Sequence, residues 1–156
     1  NILTFLRGDG KLLREFSSVE EMDETLVSNW NKVVSKDDKV YHLGDVCFTA
    51  TKLHEIMPRL NGTKVLIKGN HDNLKMSAYM QYFKDVRAYH VLDKMLLSHI
   101  PVHLGSLERW GVNIHGHLHS NVIPDVRYIN VSVEQTNFTP VDFEQIRIIV
   151  KSLGLR

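Results

Sequence analysis

The sequence predicts an α/β protein, a layered α/β sandwich with a mixed sheet system. Three observations carry that expectation. Helical and extended patterns alternate through the first half of the chain, and extended patterns follow one another directly in the second half before a closing helix. Four times a short apolar run ends and a side chain able to bind metal follows almost at once, at Asp45, Asn70, His99 and His117. In α/β architectures the carboxyl ends of strands gather on one edge, where ligand sites form, so these breaks predict a single composite site.

The elements follow in order. Ser17 and Ser18 each precede a glutamate by three residues, a doubled capping signal, and Val19, Met22, Leu26, Trp30 and Val33 then recur at helical spacing. Lys36, Asp37 and Asp38 break that helix. A short strand is expected over 40–43, ending at Gly44 and Asp45. Leu53, Ile56, Met57 and Leu60 mark a second helix that stops between Pro58 and Gly62, and Val65, Leu66 and Ile67 form a strand ending at Gly69, Asn70, His71 and Asp72. Beyond it the pattern predicts a helix over 74–83, strands over 88–92 and 95–98 that end at His99, and a loop containing Trp110. A strand over 112–115 runs into Gly116, His117, Leu118 and His119, and 126–133 is strand-like. Asp142 opens a final helix with Phe143, Ile146, Ile149, Val150 and Leu153 on one face. No linker, repeat or low-complexity segment interrupts the chain, so 1–156 reads as one domain.

Composition narrows the function classes. A chain of 156 residues can bury roughly two thirds of its unfolded surface around one core and needs no disulfides. Its single cysteine, Cys47, can make no internal bridge, which fits a reducing, cytoplasmic setting and excludes a cysteine-built zinc cluster. Nineteen basic against eighteen acidic residues, with no run of one sign, leave no electrostatic footprint for extended nucleic-acid or membrane-surface binding. No apolar run approaches the length of a bilayer span. A small or locally held substrate is the expectation. The unusual number is nine histidines, with His99, His103, His115, His117 and His119 inside 21 residues, a density that points to metal or proton chemistry.

Asp45, Asn70, His71, His99, His117 and His119 at one edge would supply a carboxylate, an amide oxygen and four imidazoles. Oxygen and imidazole donors without thiolate suit manganese, iron, zinc or nickel. His117 and His119, two apart, can point to the two sides of a turn, so two adjacent metals bridged by a carboxylate such as Asp45 are within reach. Such a pair lowers the pKa of a bridging water and clamps the attacking and leaving oxygens of an in-line displacement, which makes phosphoester hydrolysis the natural reaction class. Taken singly, an Asp after a Gly is usually a turn or cap residue. The tetrapeptide Gly69 to Asp72 is another matter, expected on the order of once in 10⁵ positions or fewer. His54 and His90 read as packing residues, and His42, His103 and His115 stay open between packing and support of the site. Cys47 reads as a small buried residue.

The segments "LGD" at 43–45, "GNHD" at 69–72, "SH" at 98–99 and "GHLH" at 116–119 resemble, in order and approximate spacing, the calcineurin-like metallophosphoesterases. The stretches "FSSVEEMDETLVSNWNKVV" and "INVSVEQTNFTPVDFEQI" extend the likeness toward small bacterial and phage members. The resemblance implies a four-layered α/β sandwich with two central mixed sheets flanked by helices, and a site of two divalent transition metals, manganese first. It makes Asp45 the bridging ligand, completes one shell with Asn70, His99 and His117, and gives His119 to the other metal. His71 would not bind metal but would protonate the leaving oxygen or stabilise developing charge, with Asp72 orienting and electrostatically supporting its ring. Phosphomonoesters, phosphodiesters, nucleotides and nucleic-acid ends are the implied substrates; without a cap domain a small diester or nucleotide is favoured. Family members open with a strand ending in Asp-x-His, which this chain lacks, and Asp9 is no substitute. A short piece carrying that strand and two ligands is therefore expected ahead of Asn1, the alternative being a divergent protein that uses one metal. The competing reading is a catalytically impaired member serving as a protein-interaction scaffold, against which the retained His71 speaks.

Overall fold

A computed structural model describes residues 2–155. Ser18 caps the first helix, α1 (Val19–Val33), and its hydroxyl accepts the Glu21 N–H. The Glu21 carboxylate reaches one residue further back than a capping box requires and takes the Ser17 N–H. Met22 and Val27 are the buried residues of α1, while Val33 at its end is half exposed. Trp30 donates its indole N–H to the Asn61 carbonyl at 3.0 Å, tying the helix to the segment ahead of the second strand.

The first sheet holds β1 (Lys39–His42), β2 (Thr63–Ile67) and β3 (Phe83–Arg87), in that order and all parallel. Between β1 and β2 runs α2 (Ala50–Ile56), capped by Thr49 and closed by a 3₁₀ turn through Pro58. The second sheet is mixed. Its strands are β4 (Tyr89–Leu92), β5 (Met95–Ser98), β6 (Asn113–His115) and β7 (Tyr128–Asn130), the first pair antiparallel and the rest parallel. Asp93 and Lys94, both at positive φ, make the two-residue turn of the β4–β5 hairpin, whose twist suits such turns.

Leu53 and Met57 pack on Leu66, Tyr79 and Phe83, covering the first sheet. Ile146 and Val150 of α4 (Phe143–Ser152) pack on Met95, Leu97, Val112 and Ile114 of the second. Each such side chain, fully buried, contributes about 1.5–3 kcal/mol. Tyr41 of β1 stacks on His90 of β4 with ring centroids 4.7 Å apart, linking the sheets. The result is the α/β sandwich expected from the alternation of patterns. No helix is long and apolar enough to cross a membrane among the described residues.

Four local expectations are corrected. The helix over 74–83 shrinks to α3 (Met76–Tyr79), and Phe83 instead opens β3, a strand missed in the sequence, because a four-residue helix gains little and the Phe83 ring is buried against α2. The strand expected over 88–92 begins only at Tyr89. In 126–133 only Tyr128–Asn130 join a ladder, since Asp125 and Arg127 close a turn of their own and leave Val126 exposed. On α4, Ile149 and Leu153 face solvent and the buried stripe is Phe143, Ile146 and Val150.

Candidate metal centre

Strands β1, β2, β5 and β6 end beside one another, and the loops that leave them carry Asp45, Asn70, His99 and His117. Three of the predicted site residues, Asp45, His117 and His119, sit at positive φ (54°, 66° and 51°), a region non-glycine residues seldom occupy and which gathers at functional sites. Something must hold them there. Asp72, with no exposed surface, does so for the first two loops. Its Oδ2 accepts the N–H groups of Asp45 (2.8 Å) and Gly69 (2.7 Å), and its Oδ1 accepts that of Val46 (2.8 Å).

This corrects the expectation that Asp72 orients the His71 ring, since its carboxylate is spent on three amides. The two loops also touch backbone to backbone. A Cβ on Gly69 would lie 2.5 Å from the Asp45 nitrogen, and one on Gly44 would lie 2.5 Å from the Gly69 nitrogen and 2.7 Å from His99 Nδ1. Asp72→Ala would leave three enclosed amides without acceptors, so a stability loss of about 3 kcal/mol or more is expected. Urea denaturation measures it, and a loss under about 1 kcal/mol would refute the staple.

The donor atoms converge on His99 Nε2. Asn70 Oδ1 lies 2.9 Å from it, His117 Nδ1 3.2 Å and Asp45 Oδ2 3.3 Å. His99 is almost wholly buried, and its Nδ1 is 2.6 Å from the Leu43 carbonyl, an acceptor only. With Nδ1 engaged by that carbonyl, Nε2 is the ring atom that faces the two oxygens and His117 Nδ1. A divalent cation bound among these four atoms would be shared by all of them. Donors sharing one ion at about 2.0–2.2 Å stand roughly 3 Å apart, which the observed spacings match. Among the described histidines, cysteines and carboxylates, Asp45, His99 and His117 bring three ligand atoms within 4.8 Å of one another. Burial, and then the neighbouring His99, push the His117 pKa down, so its ring stays neutral and able to ligate.

His119 turns the other way. Its Nδ1 lies 2.9 Å from Glu134 Oε1, which Arg14 Nε also contacts at 2.8 Å. Burial raises the Glu134 pKa, but the His119 hydrogen bond and the Arg14 charge outweigh it and hold the carboxyl below its ordinary value. A carboxylate on Nδ1 fixes the tautomer that leaves Nε2 free, the usual backing of a metal-ligating histidine. Asn130 and Gln135 also donate to the His119 carbonyl. Glu134 and Arg14 were missed in the sequence. The one available signal was an acidic residue amid the small and apolar side chains of "INVSVEQTN".

His71 is exposed. Its backbone N–H donates to Asp45 Oδ1 at 2.9 Å, and its ring meets the edge of Phe48 at 5.4 Å. The open cases resolve into packing and turns. His42 accepts the Gly44 N–H and lies near Trp30 and Phe83, His115 is buried with its Nδ1 on the Gly116 carbonyl, and His103 caps a 3₁₀ turn. His54 bonds the Tyr82 hydroxyl, and burial pushes the Cys47 thiol pKa up, away from nucleophile chemistry.

Fold and donor set together define a two-sheet α/β protein with a candidate metal centre at its strand ends. The chain belongs to the family of the uncharacterized protein MJ1445 of Methanocaldococcus jannaschii, to which it is 39% identical over 158 residues, covering 92% of this chain and 84% of that protein. A shorter stretch of 58 residues, 35% of this chain, is 47% identical to the Gene 66 protein of Mycobacterium phage L5 and covers 28% of it. The fold is that of the crystal structure of AQ665 from Aquifex aeolicus, a protein of unknown function, with a TM-score of 0.73 and 24% identity over 86% of this chain and 87% of that one. No protein-family model matches the chain.

Proposed function

We propose that the chain is a metal-dependent phosphoesterase of the calcineurin-like kind, hydrolysing a phosphomonoester or phosphodiester. The observation that carries this reading is the crowding of Asn70 Oδ1, Asp45 Oδ2 and His117 Nδ1 around His99 Nε2. Bound divalent metal supplies Lewis acidity toward phosphoryl oxygens and a water acidic enough to serve as nucleophile near neutral pH. Asp45, Asn70, His99 and His117 would hold one ion, and Asp45 and His119 would contribute to a second.

The remaining work belongs to His71. It sits on the loop that Asp45 Oδ1 anchors, its ring is free of hydrogen bonds among the described residues, and it is exposed to whatever lies over the centre. From there it donates a proton to the departing ester oxygen. Asp72 keeps the Asp45 and Gly69 loops in register, so the proton donor and the donor set keep one spacing.

The test joins metal analysis to hydrolysis. Expressed from its full reading frame and loaded with Mn²⁺, the protein is expected to hold metal through gel filtration and to hydrolyse bis(p-nitrophenyl) phosphate, whereas residues 1–156 alone, without an Asp-x-His pair, are expected to hold the first ion weakly and show little activity. Chelation is expected to remove activity and leave the far-ultraviolet circular dichroism unchanged. Protein that retains two ions per chain and hydrolyses neither mono- nor diesters would favour the scaffold reading instead.

A further inference from the structure

A cleft of about 500 Å³ opens beside the metal centre, between the end of β2 and the second sheet. Asn70 and His99 line it, so cleft and donor set form one continuous site. Tyr89 and Trp110 stand on its other side, ring centroids 6.3 Å apart and planes inclined at 49°, an open V rather than a closed stack. Tyr89 pairs across the β4–β5 ladder with Ser98, one residue from His99.

These rings are not core residues. Tyr89 is 56% exposed, whereas Tyr79 and Phe83 are sealed inside the first-sheet cluster. Among the described residues neither the Tyr89 hydroxyl nor the Trp110 indole N–H donates a hydrogen bond within the chain, and the Lys68 ammonium in the same wall makes no ion pair. An apolar, planar surface with unused donors at its rim and a cation beside it fits a flat heteroaromatic group joined to an anion. The volume falls in the range of small-molecule sites.

We propose that this cleft seats the nucleobase of a nucleotide whose phosphoryl group lies at the metal centre, the base resting on Trp110 with Tyr89 against its edge and Lys68 near a phosphate oxygen. The inference rests on the phosphoesterase reading and names its substrate class. An aliphatic phosphoester would leave both rings bare. The nearly neutral chain, without a basic track, fits a single nucleotide rather than a long strand.

Two diesters with one leaving group test it: thymidine 5′-monophosphate p-nitrophenyl ester and methyl p-nitrophenyl phosphate, on the Mn²⁺-loaded protein expressed from its full reading frame. The nucleoside ester is expected to be preferred about tenfold or more in kcat/KM. Stacking on an aromatic ring contributes about 1–3 kcal/mol per base, so the preference should shrink roughly tenfold in Trp110→Ala and, by a route that does not disturb folding, in the exposed Tyr89→Ala. Separately from turnover, adenosine monophosphate should quench tryptophan emission in the wild-type chain and not in Trp110→Phe. Equal kcat/KM for the two esters, or no quenching assignable to Trp110, would overturn the base site and leave the phosphoesterase reading standing. If neither ester is hydrolysed, that reading fails, and the quenching titration still decides the cleft. Quenching by a ten-nucleotide oligothymidylate at concentrations a hundredfold below the mononucleotide would overturn the single-nucleotide assignment.

Discussion

Asp45→Asn is expected to empty the metal centre and abolish hydrolysis while the chain stays folded. Asparagine is the telling replacement because Asp45 sits at φ 54°, where Asn is tolerated and Ala is strained by about 1–2 kcal/mol. The amide keeps size and backbone shape, removes the charge and turns one of the two acceptor oxygens into a donor. Its effect on metal affinity should exceed the roughly 10–100-fold that follows loss of a hydrogen-bond partner behind a ligand, since here an anionic donor itself is lost. One Asp45 oxygen faces His99 at 3.3 Å and the other accepts the His71 N–H at 2.9 Å. The variant therefore weakens the ion and loosens the proton donor together. Metal content by atomic emission after gel filtration checks the first effect, and a variant holding full metal at wild-type rate would refute the role.

His71→Ala should separate the two functions. The ring makes one edge contact, with Phe48, and its residue is exposed, so little stability is at stake. Metal content is expected to match wild type and turnover to fall by roughly 10²–10⁴, the usual range for general acid–base help. The loss should be largest on substrates with poor leaving groups and small on p-nitrophenyl esters, whose leaving oxygen needs no proton. A uniform loss across leaving groups, or a loss of metal, would reassign the residue.

Much of the candidate donor set was legible because each of its residues interrupts an apolar run at the point where a strand must end. Asp45, Asn70, His99 and His117 all announce themselves in this way, and strand ends meet in space however far apart they are in sequence. The supports were less visible. Asp72 binds backbone amides 26 and 27 positions earlier, and amides carry no residue signature, so its place behind His71 looked more natural than its place beneath two loops. Glu134 reaches His119 across 15 positions from a segment with no ligand-like neighbour, and Arg14 reaches Glu134 across 120. The strand at Phe83–Arg87 was hidden by the helix-like pattern ahead of it, because pairing with β2, a tertiary event, decides that segment.

The carboxylate of Asp72 changes what metal binding has to accomplish. Because three amides and not an ion set the course of the Asp45 and Gly69 loops, the part of the proposed centre these loops carry is in place beforehand, and an arriving ion would meet little reorganisation there. On the proposed reading, oxygen and imidazole donors suit several divalent ions, so the spacing these loops fix, together with supply in the cell, would decide which ion the centre holds.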